Sequence, residues 1–225
     1  MDRSTVRKRR DILQLTGYLV ALYGVWSLCR FFILPFLEHF FPPMVQGIID
    51  VVAELVVFVP PVLLYLRREG VSSVWGYLKL NTLSKGFFWC LLCLLAFLEM
   101  AISTVVYLHH RINVPYLLRV DNLLAFLLVG ITEEIPFRGF LFQKLEPLCG
   151  SWGAIGLSAL LFVGVHLPLW LMYPPPVPLP FAFLGITFIG IIYGIAFWKT
   201  RSLWSAIILH SGYNLAVALV TSALH

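Results

Sequence analysis

Apolar residues fill this chain in long blocks separated by short polar stretches, and the blocks have the length of a bilayer crossing. Taking about 20 residues as one span, the pattern predicts seven: 12–36, 44–66, 86–108, 122–143, 153–172, 180–198 and 203–223. No soluble domain fits between them. The longest gap, RREGVSSVWGYLKLNTLSKG at 67–86, mixes Trp75, Tyr77 and Leu80 with Lys79 and Lys85, the composition of a segment lying at headgroup level. The run YPPPVPLP at 173–180 cannot continue a helix and predicts an extended hinge between two spans. The expected fold is all-α, a polytopic membrane helical bundle of about seven transmembrane helices plus an interfacial segment.

Composition agrees: of 225 residues, 60% are hydrophobic and 12% charged, too apolar for an ordinary soluble domain. A net charge of +5 would point to nucleic acid if the basic residues formed a patch, but they stand at the ends of apolar runs instead. Alternating the loops places Arg3, Arg7, Lys8, Arg9, Arg10, Arg67, Arg68, Lys79, Lys85, Lys144, Lys199 and Arg201 on one side, and only Arg111 and Arg119 on the other. By the positive-inside rule the N-terminus is cytoplasmic and the C-terminus lies outside. The basic start MDRSTVRKRR precedes an apolar run too long for a signal-peptide core, so it reads as a retained first span. Cys29, Cys90, Cys93 and Cys149 have neither zinc-ribbon nor disulfide-framework spacing and read as small packing residues.

Polar residues inside the spans carry the functional information, because a charge at the bilayer centre costs about 2.5 to 3.5 kcal/mol even on the lenient insertion scale. Arg30 lies near the outer end of the first span and is expected to snorkel; Asp50 and Glu54, one turn apart, are expected to share a watered or interfacial face. Glu99, deep in the third span, is expected to pair with Arg30 or to line a cavity. The stretch GITEEIPFRGFLFQK, 130–144, is harder to explain by packing. Glu134 and Arg138 are four apart and stack on one helical face as an ion pair. Glu133, rotated by about 100°, is left free of that pair. Pro136 removes a helical hydrogen bond beside the carboxylates and predicts a bend there, a distortion tolerated in a membrane beside protein or a wet cavity.

Two further pairs at four-residue spacing follow, Phe162 with His166 and His210 with Asn214. At about 1.5 Å per residue, Glu133 lies roughly 16 Å from Lys144, His166 roughly 21 Å from Trp152 and His210 roughly 13 Å from Arg201. Three spans thus bring titratable groups to one slab of the membrane. A free carboxylate, two imidazoles and an amide are the ingredients of peptide hydrolysis by activated water, which needs a general base and donors aimed at the developing oxyanion.

EEIPFR as EExxxR, FVGVH as FxxxH and HSGYN as HxxxN, in this order on successive spans, resemble the CAAX protease and bacteriocin-processing (CPBP, or Abi) family of intramembrane proteases. GIIYG at 190–194, followed by KTRSLWSAIILH, also resembles the family. The resemblance covers about residues 121–217. It implies that Glu133 with His166 activates water, that His210 and Asn214 form the oxyanion site, and that Glu134 and Arg138 support them. It implies a catalytic helical core at 121–225 joined to N-terminal helices and the interfacial segment at 1–120 in one integrated membrane domain. Eukaryotic relatives that trim prenylated tails have eight membrane helices against the seven spans counted here, which leaves the substrate open.

The expected function is an intramembrane endopeptidase, a hydrolase cutting a membrane-associated protein or peptide, lipidated or not, near the cytoplasmic face of a prokaryotic cell membrane. The family has been called metalloendopeptidase-like. No cofactor is favoured, since HExxH is absent and asparagine is an uncommon zinc ligand; zinc, if present, would sit on Glu133, His166 and His210. Nucleic acid is not an expected partner. The rival readings are a non-catalytic bacteriocin-immunity or membrane scaffold protein and, with less support because no internal repeat stands out, a proton-coupled transporter.

Overall fold

The computed structural model describes residues 3–82 and 87–224, with side chains from Arg9 onward. Lys85 and the side chains of Arg3, Arg7 and Lys8, counted above in the charge asymmetry, lie outside the described residues. All regular structure among the described residues is helical. Helix α1 (Arg3–Leu28) continues through a π-helical turn (Cys29–Ile33) into α2 (Leu34–Glu38). Then come α3 (Pro43–Arg68), the single turn α4 (Val74–Tyr77), α5 (Phe87–Tyr107), the single turn α6 (Val114–Leu117) and α7 (Val120–Glu134). A second π-helical stretch (Ile135–Phe142) leads into α8 (Gln143–Gly164), followed by α9 (Leu167–Met172), α10 (Leu179–Thr200) and α11 (Leu203–Ser222).

Six helical stretches are long and apolar enough to cross a membrane, and the predicted fourth and fifth spans fall in one of them, the 53 residues Val120–Met172. Drawn straight it would measure about 80 Å, against a hydrocarbon core of about 30 Å. It is not straight. Gly150 adopts φ 74 and ψ 170, a backbone open to glycine because it lacks a Cβ. The chain reverses there: Phe162, twelve residues beyond Gly150, lies against Arg138, twelve residues before it, with the guanidinium carbon 4.6 Å from the ring centre. The two arms therefore lie side by side, in the places of the predicted fourth and fifth spans. The proline run is irregular over 173–178, and α10 begins at Leu179.

Three contacts set α3 in parallel along α7 and its continuation through the π stretch to Lys144. At one end a Cβ on Gly47 would lie 2.8 Å from that of Asp121. Midway, the rings of Phe58 and Phe137 are 6.4 Å apart. At the other end Lys144 reaches Glu69 at 3.7 Å. That second end also gathers Arg201, paired with Glu146 at 2.7 Å, and the 67–82 segment. The segment does more than lie on headgroups. Trp75 is exposed, but Leu78 is buried, Gln143 Nε2 donates to Tyr77 O at 2.8 Å, and Trp204 Nε1 donates to Leu80 O at 2.6 Å, so α4 plugs this end of the bundle.

Candidate active site

Pro136 has no backbone N–H to give and its ring crowds the preceding turn. The helix answers by widening into the π stretch Ile135–Phe142, all of which is buried. This is the predicted bend, in the form of a π turn, a distortion found often at functional sites. It follows directly on Glu133 and Glu134, both buried.

The predicted ion pair is present and dry: Arg138 donates to Glu134 Oε1 at 2.7 Å, and both side chains are fully buried. Arg138 also donates to Gly190 O on α10 at 2.8 Å and lies over the Phe162 ring. Such a charge persists in an apolar interior because it is both paired and hydrogen-bonded. Glu134 Oε1 accepts a second hydrogen bond, from His210 Nδ1 at 2.9 Å. Since a carboxylate accepts, Nδ1 carries the proton and Nε2 is turned the other way. It faces Glu133, whose Oε2 lies 3.5 Å away. Glu133 is therefore inside the bundle, within reach of an imidazole, and outside the Arg138 pair.

His166 stands where the helix path breaks, between α8 and α9. Its Nδ1 donates to Phe162 O at 3.2 Å, which leaves Nε2 as a free acceptor. The Phe162 ring lies between the imidazoles, 5.1 Å from His166 and 5.6 Å from His210. Among the described residues no hydrogen bond or ion pair joins His166 to Glu133. Asn214, one turn beyond His210, lines a cavity of about 310 Å³ with Asn122 and Thr221. It has no hydrogen-bond partner among the described residues. The structure thus brings Glu133, Glu134, Arg138 and His210 together, sets His166 beside them across Phe162, and puts Asn214 one turn beyond His210, in a cavity that none of the other five lines.

The zinc alternative can be tested on the donor set. Among the described residues no group of three or more His, Cys, Asp or Glu side chains could hold a metal ion. Glu133, His166 and His210 do not form such a group.

Two groups next to the site escaped the sequence reading. Tyr193, fully buried on α10, stacks on the His210 ring at 5.0 Å and 21°; its only signal was its place in GIIYG. Arg30 does not snorkel. It is buried, 4.6 Å from the Trp26 ring centre, and paired with Asp50 at 3.3 Å and Glu54 at 3.6 Å. Asp50 and Glu54 hence do not share an open interfacial face. Glu99 is exposed, accepts from Ser103 at 2.7 Å, and has no part in the Arg30 cluster.

Residues 115–216 match the model of the family described as type II CAAX prenyl endopeptidase Rce1-like. This segment resembles that family. The recognition drawn from EExxxR, FxxxH and HxxxN is of that family, and all three motifs lie within the Rce1-like segment. The described helices are long and apolar enough for an integral membrane protein, and the family matched is one of CAAX-type endopeptidases. No curated protein matches the chain, and no solved structure does.

Proposed function

We propose that the chain is an intramembrane endopeptidase in which Glu133 is the general base of a buried hydrolytic water, without a metal. The observation that carries this reading is the orientation of His210. With Nδ1 spent on Glu134, its Nε2 and the Glu133 carboxylate face one another at 3.5 Å, close enough for both to reach one bound reactant.

The steps follow from the donors and acceptors. Glu133 takes a proton from water, and the oxygen attacks the scissile carbonyl carbon. Negative charge passes to the carbonyl oxygen, where His210, offering Nε2–H in its doubly protonated form, and the Asn214 amide donate hydrogen bonds. The C–N bond then breaks, and Glu133 returns the proton to the departing amine. Nε2 of His166 holds the water against Glu133 before attack. Glu134 and Arg138 act through His210, fixing its tautomer and ring plane.

The family description supports a prenylated protein tail as substrate; orientation by charge supports cleavage near the cytoplasmic side. The test is cleavage of a farnesylated CAAX peptide and its unprenylated counterpart in proteoliposomes. Loss of product with Glu133→Ala, His166→Ala and His210→Ala, each folded as judged by its melting temperature, is the expected result. If all three variants cut normally, the mechanism is wrong. Zinc at one equivalent per chain in active protein, whose removal stops turnover, would overturn the metal-free proposal.

A further inference from the structure

The parallel register of α3 and α7 has a consequence for Glu54. Phe58 meets Phe137, so Glu54, four residues before the one, stands level with Glu133, four residues before the other. Glu133 interacts electrostatically with Glu54 and Arg30 as well as with Glu134 and Arg138. An acid of an N-terminal span, outside the Rce1-like segment, is therefore a neighbour of the proposed base.

Glu54 is only 9% exposed. Its Oε1 faces Arg30, and its Oε2 is buried with no hydrogen-bond partner among the described residues. Glu134 repeats the arrangement: Oε1 is shared by Arg138 and His210, and Oε2 is unpartnered. Two arginine-held carboxylates thus stand beside Glu133, each with one free acceptor. The cage around Glu54 is tied to the rest of the site, because Arg30 lies over Trp26, and Trp26 Nε1 donates at 2.8 Å to Val165 O, next to His166.

A peptide cut inside a membrane must unwind at the scissile bond, and its released N–H groups find no water in the hydrocarbon slab. A donor left unpaired there is costly, and a carboxyl oxygen without a partner is an acceptor the protein can offer it. We propose that Glu54 is a substrate-binding residue, its Oε2 accepting a backbone N–H of the peptide that lies across Glu133, with Arg30 and Asp50 holding the carboxylate in place. This rests on the peptidase reading of the same site. Glu54 makes and breaks no covalent bond.

The experiment measures binding of a fluorescent farnesylated CAAX peptide to Glu133→Gln protein in nanodiscs, with single backbone N-methyl groups placed along the peptide. At one position, methylation is expected to weaken binding about tenfold. In Glu133→Gln/Glu54→Ala the parent peptide binds about tenfold more weakly, and methylation at that position costs nothing further. Should the double variant not fold, Glu54→Gln, which keeps an acceptor oxygen, retains a reduced methylation penalty. Equal penalties with and without Glu54 at every position, unchanged binding of the parent peptide to the Glu54→Ala protein, or no binding at all would overturn the proposal. Cleavage is read separately in the wild type. Product that depends on Glu133 without the Glu54 coupling sinks this inference alone, whereas coupled binding without any product sinks the peptidase reading.

Discussion

His210 is held on three sides: Glu134 takes its Nδ1 proton, Tyr193 stacks on one face, and the Phe162 ring stands edge-on to it at 88°. Each contact tests differently. Tyr193→Phe keeps the stacked ring and is expected to leave cleavage within about twofold and to hold the melting temperature, because the Tyr193 hydroxyl has no hydrogen-bond partner among the described residues. Tyr193→Ala removes the ring from a fully buried position and is expected to cost about 3 to 5 kcal/mol in unfolding free energy, with a larger fall in kcat than the rise in KM. Arg138→Met strands the Glu134 charge in a dry interior, which costs about 3 to 5 kcal/mol; chemical unfolding in detergent checks it. The Glu134–Arg138 pair was legible in the sequence because four residues is a local helical distance. The partner of Glu133 was not, since His210 is brought to it from α11.

At the scale of elements, α7 approaches α11 through Gly130. A Cβ there would lie 2.5 Å from Ser211 Oγ and 3.1 Å from the Ile207 carbonyl oxygen. The second of these is backbone and cannot rotate away. Gly130→Val is therefore expected to push α7 and α11 apart, lengthen the contact between Glu133 and His210, and abolish cleavage while lowering the melting temperature. The milder Gly130→Ala, combined with Ser211→Gly, should recover part of the activity lost by Gly130→Ala alone, because the closest clash is with the serine hydroxyl. Steady-state cleavage rates of the four proteins decide it. The bend at Pro136 was readable from proline chemistry, but its π form was not, because it depends on how the buried stretch packs against α3, α8 and α10. The reversal at Gly150 was anticipated as a gap between two spans.

The whole molecule presents two ends of different charge. Lys79, Lys144 and Arg201 gather at one, and Arg119 with Asp121 stands at the other. On the orientation that the basic loops favour, Cys149, exposed beside Gly150, faces the cytoplasm. A membrane-impermeant maleimide should label it in inside-out vesicles and spare it in right-side-out ones. Cys93, exposed on a membrane-spanning stretch of α5, should resist in both. Labelling of Cys149 only in right-side-out vesicles would invert the proposed topology.

What the sequence determined by itself is whatever the bilayer and the helix impose locally. The hydrocarbon thickness fixes how long an apolar run must be, and the helical repeat fixes which residues share a face; from these came the spans, their ends, the Glu134–Arg138 pair and the level of the polar groups. Only the tertiary structure decided how the helices are rotated and slid against one another. That choice turned His210 between two glutamates, set Arg30 over Trp26, and brought Glu54 level with Glu133, because a side chain's partner on another helix depends on packing across the whole bundle, which no spacing along one helix records.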